Sequence, residues 1–94
     1  MLSKIPIDLT RVKKENLDKE ILRAGIIAEL DAINLYEQMA ELTNNEDIKE
    51  ILLDIAREEK THVGEFQALL LKEDDEQVKE MKEGEKEVRE ELEK

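Results

Sequence analysis

The sequence predicts an all-α fold: an antiparallel two-helix hairpin that pairs with a second copy into a four-helix bundle, followed by a short C-terminal helix or tail. Three observations carry this expectation. The 94 residues hold three Gly and one Pro while Glu, Lys, Leu, Ile and Ala dominate, a composition for long helices with few turns. Apolar residues recur at i, i+3, i+4 spacing over two stretches of nearly equal length, with one short polar turn between them. A single hairpin of this size buries too little surface to stand alone, so assembly is expected. Hydrophobic residues are 39% of the chain but aromatics only 2%, which leaves the core to aliphatic side chains.

Residues 1–16 read as an irregular N-terminal arm containing Pro6, and Asn16 is placed to cap a helix starting at Leu17. From there Ile21, Gly25, Ala28, Ala32, Leu35, Tyr36, Met39 and Leu42 form one helix face. A second set, Leu22, Ile26, Leu30 and Ile33, lies alongside it and makes the stripe wider than one partner helix covers. Thr43, Asn44 and Asn45 interrupt the pattern, and either Asn can accept from the free amides of a new helix start. The second helix carries Ile48, Ile51, Leu52, Ile55, Ala56, Val63, Phe66, Leu69 and Leu70 and is expected to end near Leu71, closing a hairpin over 17–71. Residues 72–94 then hold eleven acids and six bases with only scattered aliphatics. Asp74 and Gln77 fit a capping box for a short third helix, which Gly84 is expected to interrupt.

A net charge of −11 without a basic cluster excludes nucleic acid as a partner and favours cations. The absence of a membrane-length apolar run and of a secretion-signal layout after Met1 predicts no membrane association and a cytoplasmic protein. With no Cys, any metal must be held by carboxylates and the one imidazole.

Glu59 and His62 break the apolar stripe of helix two, between Ile55, Ala56, Val63 and Phe66, where further aliphatics are expected. Glu29 breaks helix one in the same way, among Gly25, Ala28, Ala32, Ile33 and Tyr36. Glu29 lies fifteen residues before Asn44 and Glu59 fifteen after it, so both stand at one level, roughly 22 Å from the turn. His62 follows one turn further on the face of Glu59. One chain offers two carboxylates and an imidazole, and a two-fold pair offers four and two, a set suited to two metal ions. Mixed carboxylate and imidazole ligation favours iron or manganese over calcium and over structural zinc. The bland alternative is a polar cluster in which His62 hydrogen-bonds a carboxylate.

The segment Ala28-Glu29-Leu30-Asp31-Ala32-Ile33-Asn34-Leu35-Tyr36-Glu37-Gln38, followed by Arg57-Glu58-Glu59-Lys60-Thr61-His62, resembles the encapsulated ferritin family over roughly residues 17–71. Its ligand pattern, a Glu from each of two helices with Glu-x-x-His from two others, resembles that of ferritin-like di-iron proteins. The resemblance implies a two-helix half-ferritin whose dimers complete a di-iron ferroxidase centre and associate into a ring-shaped decamer inside an encapsulin shell. It assigns Glu29, Glu59 and His62 as iron ligands, with Glu59 bridging, and places Tyr36 close behind the site as a further catalytic candidate. Members of this family can carry acidic entry residues and a Trp near the dimer surface. Asp31 could serve, whereas Ala28 and Leu35 depart from that pattern. Read without the resemblance, Asp31, Glu58 and Glu65 are solvated face residues, and Met39 and Phe66 are core. A shell-docking tag or a fused shell domain is not visible in these residues, so the Glu- and Lys-rich end reads as a linker or as part of a chain outside any shell.

The expected function is oxidation of Fe(II) to Fe(III), with O2 or peroxide as oxidant, for iron storage. Two alternatives stand beside it: a rubrerythrin-like protein that consumes peroxide with the same metals, and a structural or cargo-adaptor hairpin that never binds metal.

Overall fold

The structure is a computed structural model and describes residues 8–93. Pro6, with the rest of the first seven residues of the arm, and Lys94 lie outside the described residues. Two short 3-10 turns, Leu9–Arg11 and Lys14–Asn16, lead into three α-helices: α1 (Leu17–Leu42), α2 (Glu46–Glu73) and α3 (Asp75–Leu92). The all-helical hairpin expected from the periodicity is present, with α1 and α2 of 26 and 28 residues packed antiparallel.

The local sequence explains most helix ends. Asn45 caps α2: its side-chain oxygen accepts from the backbone amides of Asp47 and Ile48 at 3.0 and 3.1 Å, and Glu46 and Asp47 add negative charge to the first turn. Asn16 occupies the cap position of α1 as expected, but its side chain makes no capping hydrogen bond. The backbone there already has helical angles, because a 3-10 turn runs directly into the α-helix.

The end of α2 falls near the expected Leu71, while α3 departs from expectation. Helix α2 continues past Leu71 to Glu73, and α3 runs unbroken for 18 residues through Gly84. A glycine inside a helix costs about 1 kcal/mol relative to alanine. Here strong helix formers flank Gly84 on both sides, and the pairs Lys86–Glu90 and Glu85–Arg89 span one turn each beyond it.

The core is thin. Among the described residues only Ile33, Ala40, Ala56 and Leu70 are buried apolar residues, while Ile27, Leu30, Ile48, Ile51 and Leu53 remain exposed on the two long helices. The radius of gyration is 16.7 Å, against about 12 Å for a compact domain of this length. The extents of 46 × 46 × 20 Å describe a bent object in which α3 leaves the hairpin at a steep angle. Among the described residues, no helix is long and apolar enough to cross a membrane.

A single residue makes the bend. Asp74 lies between α2 and α3 in a non-helical conformation (φ −137°, ψ 90°), and it is buried. One carboxylate oxygen accepts from the Gln77 amide at 3.0 Å and the other from the Arg23 guanidinium at 2.9 Å, which ties the elbow to α1 across 51 positions of sequence. No Gly or Pro stands at this break, so the side chain itself holds it open. The Gln77 amide and then the Arg23 guanidinium lower the Asp74 pKa below its ordinary value of 3.8, against the opposing effect of burial. A carboxyl depressed in the folded state stabilises fully above its unfolded value, and that stabilisation is lost as pH falls through the lower folded value. The stability gap between wild type and Asp74→Asn should therefore be complete at neutral pH and close only below about pH 3.8. Asp74→Ala should let α2 and α3 merge. Spin labels attached through Glu50→Cys and Glu90→Cys, which give the labelling reagent its only thiols in this cysteine-free chain, should then report a longer separation. An unchanged distance would show that something other than Asp74 sets the bend.

Candidate metal centre

Halfway along the hairpin three polar side chains meet on its inner stripe. Glu29 comes from α1, and Glu59 and His62, one turn apart, come from α2. One donor atom from each lies within 4.8 Å of the other two. His62 Nδ1 stands 3.2 Å from Glu59 Oε2 in a hydrogen bond and 3.5 Å from Glu29 Oε2 in a looser electrostatic contact. The two carboxylate side chains are about one-fifth exposed, at 20% and 19%, while the imidazole is 46% exposed. The equal distance of Glu29 and Glu59 from Asn44 thus produces the convergence that the sequence predicts.

The cluster is incomplete as a set of hydrogen bonds. Glu29 Oε2 is buried and has no hydrogen-bond partner, a state that costs free energy comparable to a lost hydrogen bond. Among the described residues the ion-pair partner of both carboxylates is His62, and no Lys or Arg pairs with either. A divalent cation would satisfy the orphaned oxygen and balance the two carboxylates together, so the residues present fit a metal ion. Nδ1 is the imidazole nitrogen that faces both carboxylates, and a metal there would take the place of its proton. Two carboxylates and one imidazole without thiolate suit iron or manganese.

Other candidates fall in different places. Tyr36 is half-buried on α1, two turns along the same face from Glu29. Asp31, read from the sequence as a solvated residue, is instead buried, at 7% exposure. Two positions from Glu29 it points to the far side of α1, where the hairpin pattern gives no information about cover. Glu29 and His62 open onto a shallow depression of about 390 Å³ that Glu65, Phe66 and Leu69 also border. Phe66 read as core and Glu65 as solvent-facing, yet both are neighbours of the site. Their spacing of four and three residues from His62 was the available signal. Beside the site, Lys60 reaches Glu37 across the hairpin at 3.1 Å, an exposed pair whose contribution is at most about 1 kcal/mol.

Comparison with known proteins bears on this geometry. A family model described as Rubrerythrin matches residues 20–94. The crystal structure of the encapsulated ferritin domain from Pyrococcus furiosus matches with a TM-score of 0.82 and 56% identity, covering 96% of this chain and 94% of that one. The chain belongs to the encapsulated ferritin family. A ferritin-like-encapsulin shell fusion protein of Pyrococcus furiosus is 61% identical over 93 residues, which make up 96% of this chain and 27% of that protein. The encapsulin nanocompartment cargo protein EncC of Myxococcus xanthus is 41% identical over 75 residues, 77% of this chain and 58% of the cargo protein. This encapsulated ferritin chain therefore spans about a quarter of the first relative and less than two thirds of the second. The resemblance carried by Glu29, Glu59, His62 and their neighbours is confirmed at the level of family and fold.

A metal that binds only the folded protein raises its stability by about 2.7 kcal/mol at a hundredfold excess over Kd, or on the order of 10 °C in a chain this size. Anaerobic Fe(II) or Co(II) should produce such a rise in wild type and chelator should reverse it. Glu59→Ala should lose the rise, while its metal-free form melts no lower than wild type because a carboxylate leaves an apolar stripe. A full metal-induced rise in Glu59→Ala would remove Glu59 from the ligand set.

Proposed function

We propose that this chain is a ferroxidase in which two copies pair, bind two Fe(II) between them, and oxidise them to Fe(III) for storage inside an encapsulin nanocompartment. The observation that carries the proposal is the group Glu29, Glu59 and His62, with donor atoms within 4.8 Å and one buried carboxylate oxygen that makes no hydrogen bond. A single hairpin supplies two carboxylates and one imidazole, which is half the ligand set of two ions. A two-fold pair supplies four carboxylates, whose charge balances two Fe(II). Glu29 and His62 each serve one ion and Glu59 bridges both, with Tyr36 behind them. After oxidation the same four carboxylates balance only four of six positive charges, and this excess favours hydrolysis of Fe(III), the first step toward a mineral. Two Fe(II) give up two electrons, which reduce one O2 with two protons to hydrogen peroxide.

The exposed apolar residues on α1 and α2 support pairing, because a second hairpin offers apolar surface to cover part of them. Extension of the pair into a ring, a decamer by family resemblance, leaves the iron without a closed cavity of its own. Storage then depends on a shell. The shell-fusion and cargo relatives support an encapsulin protein as that partner and the interior of an encapsulin nanocompartment as the location. The family model described as Rubrerythrin favours testing peroxide as the oxidant too, although a chain without Cys carries no thiolate centre to supply electrons.

Fe(II) oxidation followed by absorbance should proceed well above the buffer rate with O2 and fall to that rate in Glu59→Ala. Faster consumption of peroxide than of O2 would transfer the assignment to peroxide removal, and no oxidation with either would end the enzymatic reading. Light scattering should find a dimer or larger species. A folded monomer that persists on dilution would contradict the shared site.

A further inference from the structure

We propose that Gly25 is a positioning residue of the metal centre: by lacking a Cβ it lets the Phe66 ring lie against α1, and this contact fixes the level at which α2 presents Glu59 and His62 to Glu29. The inference rests on the metal assignment proposed above. A Cβ placed on Gly25 would meet Cδ1, Cε1 and Cζ of Phe66, each at 3.1 Å. That is tighter than ordinary van der Waals contact, and three atoms of one ring are met together. The glycine is not there for its backbone, since no glycine among the described residues has a positive φ. Inside a helix, alanine is the better residue. What requires glycine at this position is the ring. The other two glycines differ, because a Cβ at Gly64 or Gly84 would meet nothing within 4 Å.

The contact is next to the site on both helices. Gly25 precedes Glu29 by four residues and Phe66 follows His62 by four, so each lies one turn from a ligand on the ligand's own face. Phe66 borders the same depression as Glu29 and His62, and this is the open space into which a displaced ring can move. A methyl group at position 25 has two outlets: it pushes the ring toward the ligands, or it parts α1 from α2 at that layer. Either movement is a few tenths of an ångström, comparable with the tolerance of about 0.5 Å within which a ligand constellation must be held. Gly25 is therefore expected to act on metal affinity through Phe66, without touching the ion.

Phe66 is the one Phe of the chain, so 4-fluorophenylalanine labels it uniquely for 19F NMR, with Co(II) as the metal probe. In wild type, Co(II) should displace the 19F resonance, because the ring lies one turn from His62. Gly25→Ala should shift the metal-free resonance and change the Co(II)-induced displacement. Its Co(II) affinity should fall at least about tenfold, the scale at which supporting residues act on metal sites. Helix content by circular dichroism should be unchanged or higher, which separates misplacement from unfolding. Gly25→Ala/Phe66→Leu, read by Co(II) absorption, should recover most of the affinity because the smaller side chain makes room for the methyl. If wild type responds to Co(II) and Gly25→Ala responds identically, the positioning role is overturned while the metal assignment stands. Failure of the double variant to recover would also overturn it, since the ring would not be the route. If wild type itself gives no response to Co(II), the metal assignment falls and takes the positioning role with it.

Discussion

Two carboxylates, Glu29 and Glu59, face one another across the inner stripe of the hairpin with one imidazole between them and no cationic side chain paired to either among the described residues. Carboxylates at this depth need a counter-charge, and among the described residues no Lys or Arg supplies it. Much else in the chain follows from that deficit. The two arms must be long enough to place both groups well away from the turn. They must be matched in length so that the groups meet. They must also leave a face free, because three donors do not complete the coordination of two ions.

The devices that hold the two arms in register are modest and distributed. Asn45 sets where α2 begins, an anchor that contributes about 1 kcal/mol. The Lys60–Glu37 pair crosses the hairpin on the exposed side, and the close approach of Phe66 to Gly25 fixes the inner side one turn beyond the ligands. A core of four buried aliphatic residues adds little specificity of its own. The hairpin is thus aligned by a cap, a surface pair and a single missing Cβ, rather than by an interlocked core.

The architecture and the three converging residues were legible in the sequence because both depend on counting. Apolar periodicity located α1 and α2, and equal spacing from Asn44 placed Glu29 opposite Glu59. What stayed hidden depends on contacts between residues distant in sequence or on competing local effects. The burial of Asp31 lies on a face of α1 about which the hairpin pattern is silent. The Arg23–Asp74 pair spans the whole hairpin, so nothing near Asp74 announces it. Gly84 looked like a stop because glycine usually is one, yet its penalty is smaller than the combined preference of the charged helix around it. Asn16 has the right identity for a cap, but a preceding 3-10 turn makes the cap unnecessary.

Helix α3 carries no buried residue, and its charged side chains pair along its own surface. An 18-residue helix is about 27 Å long. A flexible linker of the same length has a root-mean-square span of roughly 23 Å, so the helix gains almost no reach over a disordered tether. What it gains is aim: a stiff rod leaving a fixed elbow confines its far end to a small solid angle, where a tether would sweep a sphere. Anything joined beyond it would be met from one bearing, and the hairpin would hang from it like a weathervane locked to its mast.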